Sequence, residues 1–189
     1  MEIQSAQKSH AQSIARLIMQ AMNYDCCLYF AGPGNTLDDF ERVLTGLVLS
    51  DNSQYSYKNT LVAVDEDGEV CGVCVSYDGG QLHSLREAFV KAMKDNFGRD
   101  FSDIPDETGP GELYIDSIAV SEKCRGKGIA TKLLNAVIVR ARGMGLPAVG
   151  LLVDKNNPKA EKLYGRVGFE YANDNTWGGH PMKHLQYVF

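Results

Sequence analysis

The segment "SEKCRGKGIATKLL", residues 121–134, limits the possible folds of this chain more than any other feature. A β-rich run, "ELYIDSIAV", precedes it, and the segment itself leads into apolar residues at helical spacing. The helical pattern ends at "GMG", and "AVGLLVD" then has the composition of a buried strand. Strand, loop, helix and strand in this order predict a βαβ unit with parallel strands and a right-handed crossover.

The loop of this unit predicts a phosphate site. Gly126 and Gly128 let backbone N–H groups approach an anion closely, and the helix N-terminus beyond them offers unpaired donors. Arg125 and Lys127 add positive charge. The Gly-Lys-Ser/Thr ending of a nucleoside triphosphate loop is missing, and Thr131 stands where a dinucleotide fingerprint needs its third glycine. A third pattern, Arg/Gln-x-x-Gly-x-Gly/Ala, fits the loop instead.

Residues 111–170 combine this loop pattern with a second motif. Arg125, Gly128 and Ala130 satisfy the loop pattern. Downstream, "NNPKAEKLYGRVGF" matches Asn-x-x-Ala-x-x-x-Tyr-x-x-x-Gly-Phe, and the crossover helix and second strand separate the two motifs. In this combination the chain resembles the GNAT superfamily of acetyl-CoA-dependent N-acyltransferases.

The resemblance implies an α/β fold: one N-acetyltransferase domain over residues 1–189, with a mixed central sheet flanked by helices. The cofactor-binding core would cover about residues 111–170, and helices within about residues 9–49 would shape the acceptor side. Strands 113–120 and 148–153 would splay apart and hold acetyl-CoA between them, without a metal. The implied cofactor contacts are Ile118, Ala119 and Val120 for the pantetheine arm, Arg125, Gly126, Lys127, Gly128, Ile129, Ala130 and Thr131 for the pyrophosphate, and Asn157 and Tyr164.

Two residues of the second motif have alternative roles. Tyr164 would act as a general acid or as a hydrogen-bond donor to the departing thiolate, or it would anchor a short helix to the sheet. Asn157 would contact the cofactor or cap the helix that Pro158 begins, and both of these roles can hold together.

Strand alternation provides the candidates for a base that neutralises the attacking amine. In "GELYIDSIAV", alternation puts Glu112, Asp116 and Ile118 on one face, whereas the small or apolar odd-numbered residues share the other. Members of the family place a base at or near the position of Asp116, and burial would raise the pKa of a carboxyl there. Asp116 would be this base or would only shape the cleft. Glu112 is the second candidate, and a reaction without a dedicated base stays open.

Composition argues against several other classes of protein. The 19 basic and 24 acidic side chains give a net charge of −5, which disfavours a nucleic-acid partner. The apolar runs are too short for a membrane span, and the polar N-terminus lacks a secretory signal, so we expect a cytoplasmic protein. Cys71 and Cys74 are expected to be buried thiols on opposite faces of one strand, in a reducing compartment. The histidines, including His180 and His184, are expected to be structural or solvated.

Apolar spacing also predicts the elements of the first half of the chain. Helices are expected over about residues 9–22, from an N-cap at Thr36 to residue 48, and over residues 82–93. Residues 60–77 predict a hairpin, and residues 95–111 predict a loop. Short strands are expected at Ile3 and at the C-terminal "HLQYVF".

The implied function is transfer of an acetyl group from acetyl-CoA to a primary amine of a small molecule or peptide. Direct attack in a ternary complex is favoured over a covalent acyl-enzyme, because the cysteines have no visible histidine partner. A non-catalytic acyl-CoA-binding sensor of the same fold is the alternative. The amine and the assembly, including a homodimer, stay open. Four aromatic residues would line the acceptor pocket or pack in the core: Tyr24, Tyr29, Phe30 and Trp177.

Overall fold

Seven strands form a single sheet in the computed structural model, which describes residues 1–189. The strands are β1 (Glu2–Ser5), β2 (Thr60–Val64), β3 (Val70–Asp78), β4 (Leu113–Val120), β5 (Ala148–Asp154), β6 (Glu170–Trp177) and β7 (His180–Val188). The helices are α1 (Ala11–Met22), α2 (Tyr24–Ala31), α3 (Leu37–Leu49), α4 (Leu82–Phe97), α5 (Ile129–Gly143) and α6 (Pro158–Val167).

The order of strands across the sheet is β1-β2-β3-β4-β5-β7-β6. Only β4 and β5 pair in parallel, and α5 connects them, so the predicted βαβ unit is confirmed. The other neighbouring pairs are antiparallel, which makes the sheet mixed. The predicted mixed α/β fold of one domain is therefore confirmed.

Helices cover both faces of the sheet and bury a separate core under each. On one face, α1 to α4 pack Ile14, Phe40 and Met93 against β2 and β3. On the other face, α5 and α6 pack residues such as Leu133 and Tyr164 against β3, β4 and β5. We call these the α1 face and the α5 face. A substrate that reaches the sheet must enter where neither layer closes over it.

Local signals explain where several helices begin and end. Thr36 and Asp39 form the predicted capping box at the start of α3. The Asn157 side chain accepts a hydrogen bond from the Ala160 N–H at the start of α6, and Gly168 ends this helix with a positive φ. The capping role expected for Asn157 is therefore confirmed.

Two elements have no periodic apolar signal in the sequence and were not predicted. Helix α2 presents apolar residues around most of its surface, and the positive φ of Asn23 separates it from α1. Strand β6 is a polar edge strand whose residues are almost all exposed, and it is held by its pairing with β7. Neither element could be recognised from alternation of apolar and polar residues.

A bulge in β4 changes which side chains share a face. Opposite β3, Ser117 pairs with Val75 and Ile115 pairs with Ser76, which leaves Asp116 as an extra residue. Beyond the bulge, Ala119 packs into the core of the α1 face, whereas Ile115 packs into the core of the α5 face. The simple alternation expected over residues 112–119 is therefore wrong from Ser117 onward, because the extra residue reverses the phase.

A second bulge corrects the expectation for the cysteines of β3. Cys71 has no partner on β2, because Gly72 pairs with Ala63 and Val70 with Val64. As a result Cys71 and Cys74 both pack into the core of the α5 face, not on opposite faces. Both are buried free thiols, as expected.

Candidate active site

The sheet opens into a wedge between β4 and β5. Their parallel pairing covers only Leu113 to Ile115 on β4, and it ends where Ile115 meets Leu151. Beyond that point β5 pairs with β7, and β4 pairs with β3, so neither strand bonds to the other. The outer part of β4 is therefore left with backbone groups that face an open groove, and Asp116 lies where the groove begins.

The glycine-rich loop lies at the mouth of this wedge. Gly126 and Gly128 have φ values of 77° and 73°, in a backbone conformation that residues other than glycine rarely adopt. A Cβ at either position would meet no protein atom within 4 Å, so the space beside both glycines is open. Both features suit a backbone cradle around a bulky anion.

The start of α5 adds unpaired donors to this cradle. Its first intrahelical hydrogen bond runs from the Lys132 N–H to the Gly128 carbonyl, at 3.1 Å. The preceding amides, from Ile129 to Thr131, have no acceptor within the helix. Arg125 and Lys127 are exposed beside them, and Arg125 Nε lies 3.4 Å from the Val120 carbonyl oxygen. Free N–H groups, a helix dipole and two cations fit a diphosphate.

Tyr164 lies under the wedge on the α5 face. It is buried among the residues of that core and makes an edge contact with Phe169, with ring centroids 6.0 Å apart. Burial, with a smaller contribution from the neighbouring Cys74 thiol, raises the pKa of Tyr164 to about 12. At neutral pH the phenol therefore keeps its proton and can donate a hydrogen bond or a proton.

On the α1 face, Glu112 is an ionised structural anchor. Its Oε2 atom accepts from His184 Nε2 at 2.8 Å and from Gln186 Nε2 at 2.7 Å, and Oε1 accepts from the Thr108 hydroxyl at 2.6 Å. Burial raises the pKa of Glu112, but these hydrogen bonds outweigh it and leave the pKa below its ordinary value. A carboxylate so held is a poor proton acceptor.

Gly150 on β5 permits this arrangement. A Cβ at Gly150 would overlap the Glu112 carboxylate, so only glycine allows the carboxylate to lie across β5 and reach His184. His184 thus has a structural partner, as expected, and the partner is a residue 72 positions away.

Asp116 is the carboxylate at the apex of the wedge. It is half-buried, with Oδ1 accepting from the Ser117 hydroxyl at 2.9 Å and Oδ2 accepting from Gln54 Nε2 at 3.1 Å. Burial raises the pKa of Asp116, and the hydrogen bonds from Ser117, Gln54 and Tyr77 offset only part of this rise. A carboxyl with a raised pKa and some access to the groove has the properties of a general base.

Gln54 leaves an unsatisfied acceptor beside Asp116. It is buried, its Nε2 donates to Asp116, and its Oε1 has no hydrogen-bond partner in the protein. A buried acceptor without a partner is costly unless a donor arrives. A ligand N–H near Asp116 would provide one.

Glu107 is a candidate that the sequence analysis missed. It lies in the segment expected to be only a loop, it is buried, and its Oε2 forms an ion pair with Arg86 of α4. Its Oε1 accepts from the Tyr77 hydroxyl at 3.1 Å. Burial, together with the charge of Asp116, raises the pKa of Glu107 to about 7, although Arg86 acts in the opposite direction. No local pattern marks Glu107, because its partners lie in other elements.

A polar cavity of about 280 Å³ lies beside these groups on the α1 face. Residues 106–112 form one wall, and β6 and β7 form the other. Its lining contains no hydrophobic side chain and includes three carboxylates, from Asp106, Glu107 and Glu112. The cavity therefore favours a polar and cationic ligand over an apolar one.

The four aromatic residues considered for the acceptor pocket separate into different environments. Phe30 is buried in the core of the α1 face, and Trp177 packs against that core. Tyr24 and Tyr29 are exposed, and Tyr29 contacts the Arg99 guanidinium, 5.4 Å from the ring centre. Phe30 is therefore a packing residue, and none of the four lines the polar cavity.

Comparison with known proteins identifies the family of this chain. The model of the acetyltransferase (GNAT) family matches residues 35–169. A crystal structure of an acetyltransferase superposes with a TM-score of 0.82 at 32% identity, over 100% of this chain and 99% of that one. An N-acetyltransferase from Staphylococcus aureus Mu50 also gives a TM-score of 0.82, at 26% identity over 99% of this chain and 100% of its own. The chain belongs to the acetyltransferase (GNAT) family of enzymes.

Matches to curated relatives are shorter. The D-amino-acid N-acetyltransferase HPA3 of Saccharomyces cerevisiae is 36% identical over 58 residues, which are 31% of this chain and 36% of that protein. The chain spans less than half the length of this relative and of the next two curated relatives, whose matched shares are 20% and 44%. No helix of this protein combines the length and the apolar character needed to cross a bilayer.

Proposed function

We propose that this protein is an N-acetyltransferase that transfers an acetyl group from acetyl-CoA to a primary amine of a small molecule or peptide. The observation that carries the proposal is the wedge between β4 and β5, which joins a diphosphate cradle at one end to the Asp116 carboxylate at the other. A thioester donor fits between them, and a cationic acceptor fits the acid-lined cavity.

The proposed cofactor contacts lie along the wedge, from β4 through the glycine-rich loop to the start of α6. The backbone of Ile118, Ala119 and Val120 would bond to the pantetheine arm as an added strand would, because no strand pairs with this edge of β4. Amides from Arg125 to Thr131 would hold the pyrophosphate, with charge from Arg125 and Lys127. Asn157, at the start of α6, would reach the cofactor from the β5 side while it caps the helix.

The acceptor amine must lose a proton before it attacks, since an alkylammonium has no lone pair. Asp116 is the proposed base, because it is half-buried at the apex and its pKa is raised by burial. Glu112 is the weaker candidate, because hydrogen bonds hold it in the ionised form with a lowered pKa. A backbone N–H near Ile118 would stabilise the developing oxyanion.

Tyr164 is the proposed donor to the departing thiolate. Its pKa of about 12 keeps the phenol protonated, and its position under the wedge suits contact with sulfur. Direct attack on the thioester is favoured over a covalent acyl-enzyme, because Cys71, Cys74 and Cys124 are all buried in the core of the α5 face.

A non-catalytic acyl-CoA sensor is the second candidate, and one experiment separates the two. The purified protein is mixed with acetyl-CoA and a panel of primary amines, and release of free thiol is followed. Dependence of thiol release on both substrates, with an acetylated amine in the product, supports the enzyme. Tight binding of acetyl-CoA with no turnover on any amine would favour the sensor. Hydroxyl acceptors and longer acyl donors extend the same panel.

A further inference from the structure

The buried carboxylate of Glu107 and the half-buried carboxylate of Asp116 share one phenol. The Tyr77 hydroxyl lies 3.1 Å from Glu107 Oε1 and 3.4 Å from Asp116 Oδ2. These residues come from β3, from the loop before β4 and from the bulge in β4, so three separate elements bring them together. Glu107 also lines the polar cavity, whereas Asp116 is the extra residue of the bulge, directly after the last pair between β4 and β5. The phenol therefore bridges two sides of the site.

A phenol between two carboxyl groups limits their protonation. The hydroxyl carries one hydrogen, so it can donate to only one carboxylate at a time. It can accept from the other only when that other carboxyl is protonated. The phenol can therefore form both hydrogen bonds only when one of the two carboxyl groups is protonated and the other is ionised. The protonated group can be either Glu107 or Asp116.

We propose that Glu107, Tyr77 and Asp116 form a relay that removes the proton released by the acceptor amine and delivers it to the polar cavity. The inference rests on the proposed acetyl transfer. Asp116 is the catalytic residue of the relay because it meets the amine. Tyr77 and Glu107 act through it and are positioning residues.

An N–H bond of the ammonium breaks and an O–H bond forms on Asp116 Oδ2. Asp116 then gives this proton to the Tyr77 oxygen while the original Tyr77 proton moves to Glu107 Oε1, and Glu107 releases it to solvent. Conversion of an ammonium and a thioester to an amide and a thiol releases one proton net. The second proton lost by nitrogen balances the proton that the thiolate gains through Tyr164.

The surroundings hold each member in place. Arg86 bonds to Glu107 Oε2 and to the carbonyl oxygens of Ile104 and Pro105, which leaves Oε1 free for Tyr77. The Tyr77 ring packs against Tyr114, with centroids 5.8 Å apart, and burial raises the pKa of Tyr77 well above its ordinary value. Tyr77 therefore passes a proton on without remaining ionised.

Other charged and titratable groups around the relay set its pH dependence. They are Arg86 of α4, Asp106 with His83 beside it, Tyr55 before β2, Tyr114 of β4, and the Glu112 and His184 pair across the cavity. With Glu107 titrating at about pH 7, the relay can accept a proton above this pH and is already protonated below it. Activity is therefore expected to rise with pH through about 7.

The test compares Tyr77→Phe and Glu107→Gln with Tyr57→Phe. Tyr57 donates to the Asp51 carboxylate at 3.0 Å on the surface, so its variant removes the same kind of bond elsewhere. Thiol release is measured against pH for primary amines of different basicity. Both relay variants are expected to lower kcat about 10- to 100-fold on strongly basic amines at pH 7. This is less than the roughly 100- to 10,000-fold effect typical of a direct acid or base, because both residues act through Asp116. The loss should shrink for weakly basic amines, which are already neutral.

The double variant Tyr77→Phe/Glu107→Gln should be no slower than the worse single variant, because both lie on one route. Acetyl-CoA affinity and Tm are measured for every variant. If kcat falls by the same factor for all amines at every pH, Tyr77 and Glu107 have only a structural role and the relay is rejected. Unchanged kcat in both single variants would also overturn the relay. If Tyr77→Phe does not fold, Glu107→Gln alone decides.

A measurement without turnover separates failure of the relay from failure of the proposed function. Infrared spectra of the protein are recorded between pH 4 and 9 to follow a buried protonated carboxyl. The structure predicts a band that is lost near pH 7 and that is absent or shifted in Glu107→Gln. Absence of such a band in the unmodified protein would overturn the relay, whatever the acceptor is. Presence of the band with no acetyl transfer to any amine would reject the proposed function.

Discussion

The cofactor side and the acceptor side of this site are built in opposite ways. The cofactor side uses contiguous residues, from the end of β4 through the loop to the start of α5, and offers mainly backbone N–H groups. The proposed acceptor side depends on contacts between side chains that are distant in the chain, such as Tyr77 with Glu107, 30 positions apart, and Glu112 with Gln186, 74 positions apart. Backbone geometry is specified locally by glycine and by helix ends, whereas a side-chain network depends on tertiary packing. The backbone geometry of the cofactor side should therefore be shared widely among relatives. The side-chain network of the acceptor side should vary with the acceptor.

Reversing the charge of Arg125 should have the largest effect on the cofactor side. Arg125→Glu places a like charge against the proposed pyrophosphate, and loss of a charged hydrogen bond together with repulsion corresponds to about a 100-fold rise in Kd for acetyl-CoA. Calorimetric titration measures this Kd. Arg42→Glu, an exposed arginine on α3, is the control and should leave it unchanged. Unchanged affinity of Arg125→Glu would remove the loop from the cofactor site.

Tyr164→Phe should lower turnover more than binding. The phenol stays protonated below about pH 12, so the hydroxyl acts as a donor, and its loss is expected to reduce kcat about 10- to 100-fold with little change in acetyl-CoA affinity. Tyr171→Phe, in an exposed position on β6, is the matched control. If Tyr164→Phe keeps the full turnover of the unmodified protein, Tyr164 has only a packing role.

Gly150→Ala should disturb the acceptor side without touching the cofactor side. The added Cβ would displace the Glu112 carboxylate and break its bonds to His184 and Gln186. We expect about a tenfold rise in KM for the amine, from loss of one or two hydrogen bonds, with an unchanged Kd for acetyl-CoA. Gly46→Ala in α3, where a Cβ meets no atom within 4 Å, is the control and should be neutral or slightly stabilising. A rise in the Kd for acetyl-CoA alone would contradict the division between the two sides.

Substitutions of Asn157 should have the smallest effects, and two variants together distinguish its capping role from its proposed cofactor contact. Asn157→Ala removes the cap of α6 and should lower stability by about 1 kcal/mol, measured by chemical denaturation. Asn157→Asp keeps a capping oxygen but adds a negative charge. If Asn157 also contacts the cofactor, both variants should weaken acetyl-CoA binding. Normal binding in both would leave only the capping role.

The sequence predicted the fold well wherever one element carries its own signal. The capping box at Thr36, the hairpin of β2 and β3, and the order of β4, loop, α5 and β5 all follow from local patterns. It failed for α2, which is apolar around most of its surface, and for β6, which is polar and exposed. Pairing with a neighbour, not an internal pattern, defines β6 as a strand.

On the candidate site, the sequence predicted Asp116 as the first candidate for the base and Glu112 as the second, but it could not show how the protonation of the two carboxyls differs. Both are acidic residues near one strand, and their difference arises from distant partners. Glu112 meets His184 and Gln186 across Gly150, whereas Asp116 meets Gln54 and Tyr77. The hydrogen bonds of Glu112 outweigh the effect of its burial and lower its pKa, whereas burial outweighs the hydrogen bonds of Asp116 and raises its pKa. Glu107 had no signal at all, since nothing local distinguishes a glutamate in a polar loop.

The sequence by itself determined the family of this protein and the local geometry of the proposed cofactor region. Positive φ at Gly126 and Gly128, a free helix N-terminus and the capped start of α6 each depend on a few adjacent residues, so their motifs can be read directly. The tertiary structure decided the acceptor side. The bulge that reverses side-chain phase at Asp116, and the meeting of Tyr77, Glu107 and Asp116, depend on contacts between separate elements. Such contacts form only when the sheet assembles, and no local pattern records them.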